Sequence, residues 1–124
     1  MARLARLAGV LATLTFSSAL LASCGNGSAT SDVRQSCVFV KHALTIESQS
    51  QQPGLTPSRR NELQNDAISV LLKATPSAAA ATSIDGSWNP LMTTINEAER
   101  VPIPDLTASL TRLCRIADSQ TPYI

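Results

Sequence analysis

Apolar residues that recur every three or four positions are the feature that most constrains this chain, because that spacing places them on one face of a helix. One such stripe begins after Ser31 or Asp32, either of which can cap a helix, and predicts a helix over about 32–49. Its members are Val33, Cys37, Val40 and Leu44. A second stripe predicts a helix over about 104–119. Its members are Leu106, Leu110, Leu113 and Ala117.

Prolines divide the middle of the chain. The Gln-rich stretch 48–56 is a polar loop, and Thr56-Pro57 then starts a helix with proline in its first turn, where the missing N–H costs nothing. The same signal recurs at Thr75-Pro76. The apolar face of the helix between these two signals consists of Leu63, Ala67, Val70, Leu71 and Ala74.

The region after Pro76 keeps a helical phase although Gly86 and Pro90 interrupt it. Its apolar members are Ile84, Trp88, Leu91, Ile95 and Ala98. We expect two collinear helical pieces, about 76–85 and 88–99, because a proline kinks or breaks a helix. The pattern shows no convincing strand alternation, so the sequence predicts an all-α fold.

Residues 1–23 have the features of a secretory signal. A basic segment with Arg3 and Arg6 precedes an apolar run over 7–20 and then small residues. The run is shorter than the roughly 20 residues that span a bilayer. Removing 1–23 leaves eight basic and nine acidic residues of the original ten and nine.

The tetrapeptide Leu21-Ala22-Ser23-Cys24 resembles the lipobox of bacterial lipoproteins. The resemblance implies transfer of a diacylglyceryl lipid to Cys24, cleavage before it, and anchoring on the extracytoplasmic face of the cell membrane. Two acyl chains fit the rule that one chain binds a membrane marginally and two bind stably. We expect 24–31 to be the lipidated cysteine and a flexible tether, 32–120 a helical domain, and 121–124 a tail.

With Cys24 lipidated, Cys37 and Cys114 remain. Outside the cytoplasm such a pair predicts a disulfide, the alternative being two buried free thiols. Closing so long a loop stabilises a small domain by about 4 to 5 kcal/mol in the chain-entropy model. An up-down-up-down four-helix bundle with a kinked or broken third helix brings the two cysteines to the same level on neighbouring helices, whereas parallel first and last helices would separate them.

The sequence offers little chemistry. One histidine, His42, cannot build a zinc site, and no His/Cys/Asp/Glu cluster has metal-ligand spacing, so we expect no metal, no catalytic residue and no cofactor beyond the lipid on Cys24. Glu97 and Glu99 point to different sides of a helix, and Glu62 with Asp66 lies beside Arg59 and Arg60 on a charge-balanced face. The near-zero net charge also lacks the footprint of a nucleic-acid-binding protein.

Trp88 is the single tryptophan. Its phase predicts a core anchor, and the alternative is that Trp88 and Leu91 line an apolar groove at the Gly86–Pro90 kink.

The lipobox, the tether and the two outer cysteines around an Ala-rich helix resemble small helical lipoproteins of mycobacteria and related actinobacteria. The resemblance implies an envelope protein without a known activity. We expect a non-enzymatic interaction module, anchored to the membrane by its lipid, that contacts another envelope protein. The alternative is a carrier of a small apolar ligand near Trp88.

Overall fold

The computed structural model describes residues 26–120, and within this range it consists of helices joined by short turns, with no strand. The α-helices are α1 (Asn26–Ser50), α2 (Pro57–Leu72), α3 (Thr75–Ile84), α4 (Asn89–Asn96) and α5 (Ile103–Ser119). Two 3-10 turns, Gly86–Trp88 and Glu97–Glu99, flank α4. The predicted all-α class is therefore confirmed.

The helices form the predicted up-down-up-down bundle of four arms. The arms are α1, the pair α2 and α3, α4 with its two flanking turns, and α5. The first and last arms are antiparallel: Arg34 early in α1 donates to the Gln120 carbonyl after α5, whereas Leu44 and Glu47 near the end of α1 line a cavity with residues 104 and 107 at the start of α5. The loop before α2 ends as predicted, with the Thr56 hydroxyl accepting from the Arg59 N–H at 3.1 Å.

The second arm bends instead of turning between α2 and α3. Lys73 and Ala74 both keep helical backbone angles, and Ala78 N–H still donates to Ala74 O at 3.0 Å. Pro76 lacks the N–H that would extend this hydrogen-bond ladder, which allows the bend. The buried Ser36 hydroxyl of α1 donates to Ala74 O at 3.2 Å and so stabilises the bend. The signal at Thr75-Pro76 thus marks a bend within one arm.

The chain reverses direction between α3 and α4. Asp85 ends α3 in an extended conformation, and its Oδ1 accepts from the Ser87 N–H at 3.0 Å. The pKa of Asp85 lies below its ordinary value, because hydrogen bonds from Ser87 favour the charged carboxylate. The side chain of Ser87 has the larger effect on this pKa and its backbone N–H the smaller one. Beyond the turn, Thr75 at the start of α3 donates to the Asn96 amide oxygen at the end of α4, at 3.2 Å. The two helices therefore lie side by side.

The predicted break near Gly86 is confirmed, but the expected collinearity of 76–85 and 88–99 is wrong. The apolar residues keep their helical spacing through the turn. Periodicity alone therefore did not indicate that Asp85 ends α3 and caps the turn that follows. The reversal also leaves Ile84, predicted to share a buried stripe with Trp88, 46% exposed.

The predicted disulfide joins α1 to α5. Cys37 and Cys114 are bonded, with their Cα atoms 5.6 Å apart, and both side chains are buried in the core. The predicted stripes meet around this bond. The fully buried members are Val33 and Val40 of α1, Ala67 and Leu71 of α2, Ala74 at the bend, Leu91 and Ile95 of α4, and Leu110 and Ala117 of α5.

The first helix begins at Asn26, where the sequence predicted a tether up to residue 31. Ala29 lies one turn before Val33 and is 2% exposed. The buried stripe of α1 therefore begins one turn earlier than Val33, the first residue of the predicted stripe. The end of α5 packs beside this extension, where Thr30 donates to the Gln120 side chain at 3.4 Å.

The bent arm Pro57–Ile84 is long and apolar enough to cross a membrane by length and composition. In the bundle, this arm packs a stripe of alanines against the other helices. The buried members facing the other helices are Ala67, Ala74, Ala78 and Ala81. Small side chains at these positions let the second arm approach α1 closely.

Candidate functional site

The groove predicted at Trp88 and Leu91 is not open in this structure. Trp88 is 4% exposed and Leu91 is fully buried, and both belong to the main core. Neither side chain lines a cavity described below. Trp88 therefore packs as a core residue in this structure, and the carrier of an apolar ligand near Trp88 stays an untested alternative.

The remaining predicted residues divide between structural and surface positions. Cys24 lies outside the described residues, and Cys37 and Cys114 form the disulfide. His42 is exposed on α1. Within residues 26–120 there is no group of three or more His, Cys, Asp or Glu side chains arranged to hold a metal ion.

Two of the four surface carboxylates that the sequence singled out are paired within one helical turn. Glu62 accepts from Arg59 at 2.9 Å, and Glu97 accepts from Arg100 at 2.5 Å. The four side chains are mostly solvent-exposed, and exposed pairs of this kind contribute little to stability. They balance surface charge and bring no two carboxylates together.

A cavity that sequence reasoning missed lies at the end of the bundle where α1 finishes. Its volume is about 420 Å³. The lining residues are Glu47 of α1, Gln64, Asn65 and Ile68 of α2, and the connecting segment 98–104. We call this cavity the Glu47 cleft. A second cavity of about 390 Å³ on the α5 side shares Glu47 and Pro104 with it.

Glu47 is the unusual member of the cleft, because its side chain is charged yet only 6% of the residue is exposed. Its Oε1 accepts from the Gln51 side-chain amide at 2.9 Å and from the Ser50 hydroxyl at 3.2 Å. Its Oε2 accepts no hydrogen bond from any residue in 26–120. Every fully occluded side-chain oxygen in that range has a partner, so Oε2 is not fully occluded.

The cations around the cleft are engaged elsewhere. Arg100, which lines it, is bound to Glu97, and Arg60 donates its Nε to the Ser50 carbonyl at 3.1 Å. Glu47 forms no ion pair with any described residue. Glu99 adds a second carboxylate to the lining. The cleft therefore has an excess of negative charge.

The walls of the cleft are apolar and stiff on one side. Val101, Pro102 and Pro104 lie along the segment that leads into α5. Proline fixes φ at both of its positions, and Val101 N–H is held by Glu97 O at 2.8 Å. This segment thus forms one wall of the cleft, which Ile68 of α2 also lines.

The sequence contained one signal for Glu47. The α1 stripe runs through Val40 and Leu44, and Glu47 continues it one turn later, where a charged residue is unexpected on a buried face. The cavity itself had no such signal, because residues 98–104 line it together with Glu47 and lie far from Glu47 in sequence.

Comparison of the chain with models of known protein families, with curated proteins and with solved structures finds no match.

Proposed function

We propose that this protein is a lipoprotein anchored through Cys24 on the extracytoplasmic face of the cell membrane, where it acts as a non-enzymatic interaction module. The lipobox supports the anchor. The disulfide supports an oxidising compartment, because such bonds persist outside the cytoplasm.

The direction of α1 sets which surface is presented. The helix begins two residues after Cys24 and has 25 residues, so it extends about 37 Å at 1.5 Å per residue. Glu47 lies in its last turn. A chain anchored at Cys24 would carry the Glu47 cleft at the end of the bundle opposite its attachment. The observation that carries the proposed interaction role is this cleft with its unpaired, buried carboxylate.

The anchor is tested with Cys24→Ala. We expect the variant to lose incorporation of an alkyne-labelled fatty acid completely and to leave the membrane fraction, because the thiol that carries the lipid is missing. The measurement is click labelling and fractionation of cells that express the full chain.

The matched control is the double variant Cys37→Ala/Cys114→Ala, which removes the other two thiols and keeps Cys24. It should label normally. Equal labelling of the Cys24→Ala variant and the unaltered chain would overturn the anchor.

The interaction role is tested by photocrosslinking in intact cells. A photoreactive amino acid at Asn65, which lines the cleft, should give a discrete adduct with another envelope protein. The same amino acid at His42, which is exposed on α1 away from the cleft, should not. Recovery of monomer from both positions, or the same adducts from both, contradicts the proposed role.

A further inference from the structure

We propose that the Glu47 cleft binds the cationic end of a lysine or arginine side chain carried by a partner protein. This inference deepens the proposed interaction role and rests on it, and it does not depend on the lipid anchor.

The first support is the half-satisfied carboxylate. Burying a charge is costly unless it is paired and hydrogen-bonded. Glu47 is more than nine-tenths buried, its Oε1 has two donors from its own helix, and its Oε2 has none within the described range. A guanidinium or ammonium group would donate a charge-assisted hydrogen bond to the accessible Oε2 and would give Glu47 the ion-pair partner that it lacks within the described range.

The second support is the fit of the space. At about 420 Å³ the cleft is at the small end of ligand sites and is large enough for one long side chain. Ile68, Val101 and Pro102 offer apolar surface for a methylene stem. Lysine and arginine combine such a stem with a cationic head.

The third support is the charge around the opening. Glu99 adds to the negative charge of the lining, and Arg100 is paired with Glu97 on its own turn. An anionic ligand would therefore be repelled, and a neutral one would leave the carboxylate unpaired. Arg100 is also the one cation of the lining that could swing inward and compete, so its removal should not weaken binding.

The experiment is a methyl NMR titration of the full chain, purified in a nonionic detergent. Ile68 and Ile103 line the cleft and are the reporters, and Ile116, exposed on α5 away from the cleft lining, is the internal control. The probes are acetyl-Gly-Arg-Gly-amide, its lysine analogue, and the citrulline analogue, which has almost the shape of arginine without its charge.

We expect the arginine and lysine probes to shift Ile68 and Ile103 with saturation, to leave Ile116 in place, and to bind at least tenfold more tightly than the citrulline probe. Glu47→Gln should weaken binding of the arginine probe at least tenfold. Glu99→Gln should weaken it by a factor of two or three, and Arg100→Ala should leave it equal or tighter.

Equal binding of the arginine and citrulline probes to the unaltered chain overturns the inference, and this comparison holds even if Glu47→Gln fails to fold. Absence of any shift overturns it as well. Binding of pentylammonium at least tenfold more tightly than the lysine probe overturns the partner-protein occupant in favour of a small free amine. The titration needs no partner, so a cation-selective cleft combined with failed crosslinking would contradict the interaction role and its partner-protein occupant while leaving the cation selectivity of the cleft in place.

Discussion

Replacing Cys37 and Cys114 together with alanine should lower the free energy of unfolding by about 2 to 5 kcal/mol. The bond closes a loop with a sequence separation of 77, so its loss releases a large conformational entropy in the unfolded chain. The other contacts between α1 and α5 include an ion pair, Lys41 with Asp118, whose side chains are 57% and 50% exposed. Such a pair adds little.

The measurement is urea unfolding followed by far-UV circular dichroism. Domains of this size have total stabilities of about 5 to 15 kcal/mol, so the double variant should unfold at much lower urea. The unaltered chain in a strong reductant is the matched control and should lose a similar amount, since it keeps both side chains and breaks the bond. A loss below about 1 kcal/mol in both samples would show that packing alone holds α5 in place.

Trp88→Ala should cost about 3 to 5 kcal/mol, the range for removing a large aromatic side chain from a packed core. Trp88 is 4% exposed and packs in the core at the reversal between α3 and α4. Truncating Trp88 leaves a cavity in the core. The short Gly86–Trp88 turn leads directly into α4, so it cannot close this cavity unless α4 also moves. The variant should remain helical at low urea and unfold at a lower midpoint.

Ile84→Ala is the matched control, because Ile84 belongs to the same apolar phase but is 46% exposed. It should cost less than about 1 kcal/mol. In the unaltered chain, added fatty acid should leave Trp88 fluorescence unchanged, because the indole is buried in the core. Similar costs for the two alanine variants would mean that both side chains lie inside the core.

The outer helices were predictable from sequence because each carries a long, uninterrupted stripe. Val33, Cys37 and Val40 repeat over two turns, as do Leu106, Leu110 and Leu113. A cysteine in or next to each stripe then restricted how the two helices could pair, since bonded cysteines must lie within about 7 Å Cα to Cα. Local periodicity and one covalent link were thus sufficient for the arrangement of α1 and α5.

The fold of the middle of the chain was harder to predict, because the spacing of apolar residues does not show whether a helix continues or the chain reverses. Ile84 and Trp88 are four residues apart whether the helix continues or reverses, and the outcome depends on Asp85 capping the Gly86–Trp88 turn. The Glu47 cleft was missed for another reason. Its walls come from α1, α2 and the 98–104 segment, and a cavity between such distant parts follows only from the packed fold.

The bond between α1 and α5 also makes residues 37–114 a closed covalent ring. The exposed connection at 51–56 is part of that ring, so a protease that cuts it once yields two pieces that remain attached to each other. For a chain held at Cys24, shedding the segment from α2 onward would therefore require two different chemical events, hydrolysis of a peptide bond and reduction of a buried disulfide.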